Sequence, residues 1–199
     1  MGIYTIAITG ASGSIYGVKL LEYLLKKGHK VYLTITKEGA LIMKEEVGYD
    51  WRGSEKTIEK RIKKDLRIER GKLSFFNEEN LFAPVSSGSQ KVDAMVVIPC
   101  SMKTLSGIAQ GYANNLVERS ADVMIKEGRT LILVPRETPL NTIHLRNMLS
   151  LSQIGVMIIP AMPAFYNHPK KIGDLVDFIV GKVLDSLNIE NSLYRRWKA

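Results

Sequence analysis

Five short apolar runs punctuate this chain, and the segments between them carry apolar residues at helical spacing. Residues 3–9, 31–35, 94–98, 130–134 and 156–159 read as strands. Residues 14–27, 37–46, 116–127, 140–152 and 172–187 read as helices, with another starting near Thr104. The run 94–98, AMVVI, is apolar throughout, as a strand covered on both faces must be. Such alternation builds a parallel sheet with helices on both sides and right-handed crossovers. The expected fold is α/β: a Rossmann-like (flavodoxin-like), doubly wound parallel sheet. With 199 residues the chain encloses one sizeable core. Residues 1–187 are expected to form a single domain and 188–199 a polar C-terminal tail.

In an open sheet of this kind, ligands gather beyond the carboxyl ends of the strands. Four loops should therefore share one crevice: Gly10-Ala11-Ser12-Gly13, Thr36-Lys37, Pro99-Cys100-Ser101 and Pro135-Arg136-Glu137. The first follows a strand in AITGASGSIYG, where glycines at 10, 13 and 17 do not match the dinucleotide fingerprint G-x-G-x-x-G. Where a dinucleotide site places an acid for the ribose diol, this chain has Thr36 followed by Lys37. Backbone N–H groups and hydroxyls at helix N-termini instead suit one phosphate of a mononucleotide, FMN being the obvious candidate. Small residues there would also let the first strand–helix turn pack closely. The third loop, PCSMKTLSG, clusters Ser101, Lys103, Thr104 and Ser106 at a helix start, as phosphate ligands or N-caps. SSGS, residues 86–89, is a further anion-friendly loop.

The formal net charge is +8. Residues 55–72 hold eight Lys/Arg against four Asp/Glu, half of that excess. Ile58, Ile62 and Leu66 recur every four residues, which predicts an amphipathic helix with a solvated, salt-bridged basic face. No aromatic interleaving or nucleic-acid motif accompanies it, so nucleic acid is not the expected partner. Cys100 is the single cysteine, which excludes an intrachain disulfide framework. The start of the chain lacks a basic signal-peptide region, and no run reaches membrane-spanning length. A cytoplasmic protein without a membrane partner is expected.

TGASGSIYG, SSGS, PCSMKTLSGIAQGYANNLVERSADVMIKE, LVPRETPL, IHLRNMLSLSQIGVMIIPAMPAFYNHP and RRW, in this order, resemble the UbiX-type flavin prenyltransferases. The likeness spans nearly the whole chain; only residues 52–72 carry no motif to match. It implies transfer of a dimethylallyl group from dimethylallyl phosphate to N5 and C6 of reduced FMN, without a metal. The product, prenylated FMN, would serve a UbiD-type decarboxylase. Family members are homo-oligomers, usually dodecamers, in which neighbouring chains lend groups to a site.

By the same resemblance, Gly10, Ala11, Ser12, Thr36, Ser101, Met102, Lys103, Thr104 and Arg119 hold the flavin. Many members have serine at Thr36, and the hydroxyl is kept. Ser87, Lys126, Arg136, Glu137, Tyr166, Lys182 and Trp197 meet the prenyl phosphate, Trp197 as part of a tail that closes as a lid. Ser12, Glu46, Lys126 and Glu137 are the catalytic set, for proton transfer and cation stabilisation. From the residues alone, several of these have plainer readings. Arg119 and Lys126 share a helix face where Asp122 can pair with either. Lys182 reads as a solvated helix lysine. Glu46 ends a helix, where a carboxylate opposes the dipole. Two other functions compete. An FMN-dependent cysteine-type decarboxylase would need a histidine base, and His29, His144 and His168 are not placed for one. A nucleic-acid-binding module would act through residues 55–72.

Overall fold

The apolar runs become strands of one six-stranded parallel sheet in the computed structural model, which describes residues 1–197. The strands are β1 (Ile3–Ile8), β2 (Lys30–Ile35), β3 (Lys72–Phe75), β4 (Ala94–Cys100), β5 (Thr130–Pro135) and β6 (Met157–Ile158), in the order β3-β2-β1-β4-β5-β6. The helices are α1 (Ser14–Lys26), α2 (Lys37–Val47), α3 (Glu55–Asp65), α4 (Met102–Ala109), α5 (Leu116–Lys126), α6 (Thr142–Gln153) and α7 (Ile172–Ser186). The order reverses between β1 and β4, which places the switch point, and hence the crevice, above those two strands.

The two-residue strand period divides the core into two layers. Ile6, Ile8, Val96 and Ile98 pack with Leu20, Leu21, Leu24 and Leu25 of α1 and with Ile179 and Val183 of α7. Ala7, Met95 and Val97 point to the other face, against Leu105 of α4 and Leu116, Val117 and Ala121 of α5. Gly17 is what lets α1 lie close to the sheet. A Cβ there would stand 2.3 Å from the carbonyl oxygen of Ile98, so no larger residue fits without moving the helix.

The largest departure from the sequence reading lies between residues 52 and 90. The basic helix ends at Asp65 rather than at residue 72, because Arg67 turns the chain with a positive φ of 52°. Four residues of an unforeseen edge strand follow, with Leu73 and Phe75 buried. Ile58, Ile62 and Leu66 are buried as their spacing predicts. The salt-bridged face is not there. Among the described residues no lysine of α3 lies within ion-pair distance of an acid. The helix's own acids are turned inward: Glu59 accepts the Phe75 N–H at 2.8 Å, Glu55 the Asn77 N–H at 2.9 Å, and Asp65 the Trp51 indole N–H at 2.8 Å.

Over residues 188–197 the tail folds back onto α7. Tyr194 lies against Gly181 of α7, where a Cβ would meet its ring at 2.4 Å. The last two residues of the 188–199 tail, Lys198 and Ala199, lie outside the described residues.

Candidate functional site

The first loop leaves β1 at Thr9, whose hydroxyl donates to the Pro99 carbonyl (2.8 Å) and accepts the Ser101 N–H (2.8 Å). This pins the first and third loops side by side over the switch point. Gly13 follows with φ 101° and precedes α1, which has no side-chain cap of its own. Glu46 supplies it from the end of α2. Its Oε2 accepts the N–H groups of Gly13 and Ser14, both at 2.9 Å. A carboxylate badly placed for its own helix dipole is thus well placed for another's. Burial pushes the Glu46 carboxyl up, but the Ser12 hydroxyl and the backbone of Ser14 and Gly13 outweigh it and hold the group below its ordinary value.

Beside this joint lies an open crevice of about 510 Å³, lined by Gly10, Ala11, Ser12, Glu46, Ser101, Met102, Arg136 and Glu137, with Leu41, Ile42 and Glu45 from α2. Arg136 donates from Nε to the Ser12 carbonyl (3.2 Å), which ties the fourth loop to the first. A second lobe of about 230 Å³ shares Gly10, Ser101, Met102 and Glu137 and adds Thr36, Lys103 and Thr104. Here Thr36 caps α2 through the Gly39 N–H (3.1 Å), and Ser101 caps α4 through the Thr104 N–H (3.2 Å). Met102 and Lys103 are the first two residues of α4, so no helical carbonyl can reach their N–H groups. The four loops predicted to converge do so, and eleven candidate residues come together in two joined lobes.

The other candidates lie elsewhere on the chain. Arg119 donates to the Ser86 carbonyl (3.0 Å) and pairs with Asp122 (2.7 Å). Lys126 lies 3.8 Å from Glu127 rather than on Asp122. Ser87 bonds Ser89 (2.9 Å). Tyr166 and Trp197 meet edge to face, with ring centroids 5.1 Å apart, in a separate patch with Asn167, His168, Arg195 and Arg196. Lys182 is exposed on α7. One chain therefore holds three groups of candidate residues, and Lys182 apart from them.

Leu41, Ile42 and Glu45 were missed as crevice walls. The signal was available for Leu41, since Ala40 and Met43 are the inward positions of α2 and Leu41 is an apolar residue out of phase with them, 48% exposed. Charge gives the crevice a definite character. Glu45, Glu46 and Glu137 face Arg136 in the first lobe; Glu38, Glu78 and Glu137 face Lys103 in the second. Acids outnumber cations in both.

None of the three histidines lines either lobe. His29 accepts the Gly2 N–H through Nδ1 (3.0 Å), His144 completes a capping box with Asn141, and His168 lines the Tyr166 patch. Cys100 is wholly buried, and burial pushes its thiol far up, which keeps it protonated. No group of three or more metal-ligating side chains occurs among the described residues, and no helix there is long and apolar enough to cross a membrane.

The pattern of the Flavoprotein family matches residues 4–184. The chain is 52% identical over 196 residues to a protein of Halalkalibacterium halodurans named flavin prenyltransferase UbiX, with 98% of this chain and 93% of that protein covered. Among solved structures it is similar to a dodecameric FMN-dependent UbiX-like decarboxylase from Escherichia coli O157:H7, at 42% identity and TM-score 0.87, with 99% of this chain and 100% of that one covered. It is also similar to a UbiX protein (AnUbiX) in complex with FMN and dimethylallyl pyrophosphate, at 38% identity and TM-score 0.88, with 100% and 98% covered.

Proposed function

The chain belongs to the Flavoprotein family and, within it, to the UbiX flavin prenyltransferases, and from that membership we propose how its residues divide the work of moving a dimethylallyl group onto reduced FMN. The observation that carries the proposal is the joining of Ser12, Glu46, Arg136 and Glu137 in one crevice at the switch point.

The residues present fit a flavin mononucleotide. Leu41, Ile42 and Met102 offer an apolar wall to a flat ring in the first lobe, the second lobe is polar as a phosphate seat requires, and the two together have the size of a small-molecule site. The N–H groups of Met102 and Lys103, with the hydroxyls of Thr36, Ser101 and Thr104, form the phosphate seat at the start of α4. Gly10 and Ala11 let the ligand approach the backbone, and Arg119 is assigned to the flavin from the resemblance. When bound, reduced FMN supplies N5 and C6, the two atoms that take the five-carbon unit.

Transfer breaks an allylic C–O bond, so positive charge grows on the prenyl carbon and negative charge on the departing phosphate. The crevice's excess of acids suits the first. Glu46 and Glu137 line the first lobe and would compensate an allyl cation formed there, and the depressed Glu46 carboxyl keeps its negative charge at neutral pH. The same excess repels the phosphate, which only Arg136 meets in the first lobe of a single chain. Lys126, Tyr166, Lys182, Ser87 and Trp197 are therefore proposed to arrive from neighbouring chains of a homo-oligomer; the resemblance implies this for some of the phosphate-binding groups, and a dodecameric relative makes it reasonable. Ser12, whose hydroxyl helps hold the Glu46 carboxylate charged, is proposed to move the N5 proton. Trp197 would cover the site and exclude water. The product is proposed to pass to a UbiD-type decarboxylase in the cytoplasm, a compartment that suits one buried, unpaired thiol.

The test is anaerobic incubation with reduced FMN and dimethylallyl phosphate, followed by the mass of the released flavin. A gain of one five-carbon unit is expected. Unchanged flavin with this donor and with the pyrophosphate would overturn the proposal.

A further inference from the structure

Asp185 sits in the last turn of α7, where a carboxylate opposes the helix dipole, yet four donors converge on it. Oδ1 accepts from Asn191 Nδ2 (2.8 Å) and Arg196 Nη2 (2.7 Å). Oδ2 accepts from the Tyr194 hydroxyl (2.6 Å) and from Arg196 Nη1. Arg196 thus grips the carboxylate with both arms and lies over the Tyr194 ring, its guanidinium carbon 4.7 Å from the centroid. An acid needed only for solubility would leave its oxygens to water. This one takes donors from three residues of the tail.

What the hub holds leads to Tyr166. The Tyr194 ring, seated on Gly181, meets Phe178 with centroids 5.1 Å apart. Phe178 meets Tyr166 edge to face at 5.9 Å, and Trp197, one residue beyond Arg196, closes on the same ring at 5.1 Å. Tyr166 is therefore held between two aromatic edges, and Asp185 fixes the segment that supplies or supports both. We infer that Asp185 is a positioning residue: by tying Asn191, Tyr194 and Arg196 to α7 it sets the tail against Tyr166 and fixes that ring for the prenyl phosphate. The inference rests on the reading of Tyr166 as a phosphate contact, and it makes the tail a preset part of the site.

Asp185→Asn keeps the size of the side chain and removes the charge; Arg196→Gln breaks the same grip from the tail and leaves α7 untouched. Two readouts apply to each. The first is the emission of Trp197, isolated by subtracting the Trp197→Phe protein, since Trp51 is 1% exposed and contributes a constant background. Both variants should shift it to the red with no ligand present. The second is calorimetric titration of dimethylallyl phosphate into the FMN-loaded protein. Its Kd should rise about tenfold, the order expected for one lost hydrogen bond to a charged group, with FMN affinity unchanged. Unshifted emission in both variants overturns the hub. Shifted emission with an unchanged Kd overturns the link to Tyr166, even where prenylation proceeds normally. A wild-type protein that binds no dimethylallyl phosphate overturns the reading of Tyr166 and this inference with it. A protein that binds the donor yet forms no prenylated flavin overturns only the proposed function.

Discussion

The crevice and the β3 edge of the sheet are built from the same kinds of charged residue, turned in opposite directions. At the edge, Glu55, Glu59 and Asp65 of α3 are drawn inward onto backbone and indole N–H groups, and the lysines are left to water. In the crevice, Glu45, Glu46 and Glu137 line open space, even though Glu46 also caps α1 and Glu137 accepts the Thr138 N–H, with Arg136 their one cationic neighbour in the first lobe. A segment with a formal excess of cations therefore shows water its lysines, while a basic chain presents an acidic pocket to its ligand. Formal charge counted along a sequence does not give the charge a ligand meets. Which way each side chain faces in the fold decides that.

The comparison breaks most readily at Glu46. If its charge serves the reaction, Glu46→Gln should slow prenyl transfer by about 10²–10⁴-fold, the range for a positioned acid–base group, while FMN stays bound. Single-turnover mass analysis of the flavin reads the first and flavin absorbance the second. The same carboxylate also links stability to pH. Its folded value lies below the ordinary 4.5, so its contribution is present at neutral pH and above. It is lost as pH falls below about 4.5 and through the folded value. The Gln variant should lack that part of the acid limb in a Tm-against-pH series. A parallel loss in both proteins would mean that the contacts with Gly13 and Ser14 do not hold the charge.

Gly17 gives the next effect. Gly17→Ala places a methyl 2.3 Å from the Ile98 carbonyl oxygen and should cost about 1–3 kcal/mol in denaturant unfolding, as overpacked sites do. Two meanings of the glycine loop are thereby separated. Gly17 serves packing, whereas Gly10 and its neighbours line the crevice, so Gly17→Ala should lose stability before it loses flavin.

The sheet was legible because its signals are local: AMVVI can only be a strand covered on both faces, and the residues after each strand must lie at one edge. The crevice's own loops followed from that topology. β3 was not legible, because KLSF has only two inward residues and follows a run of charges that continues the helical pattern through Leu66. The turn at Arg67 puts a non-glycine residue at positive φ, closed by the Ile68 N–H on the Lys63 carbonyl (2.9 Å), and the strand is then set against α1 by Gly71, which passes so close that a Cβ would lie 2.6 Å from the Leu25 carbonyl oxygen. Nor could spacing show that Glu46 reaches across to cap α1, 32 residues before it. Lys182 and Trp197 were reached through resemblance alone.

At the β3 edge the opposition between inward acids and outward lysines can be tested directly. Glu59→Ala removes the acceptor of the Phe75 N–H and should cost about 1–2 kcal/mol, somewhat below a fully buried charged hydrogen bond because the site is only partly buried. Replacing Lys56, Lys60, Lys63 and Lys64 together by Gln changes four times as many residues. It should nevertheless alter unfolding free energy by no more than about 0.5 kcal/mol, because no acid among the described residues lies within ion-pair reach of any of them. A large loss in the lysine variant would show ion pairing through a neighbouring chain. A gain would show that the lysines repel one another enough to strain α3. Near-constancy, with the Glu59 variant clearly weakened, would place the strength of this edge in its three inward acids.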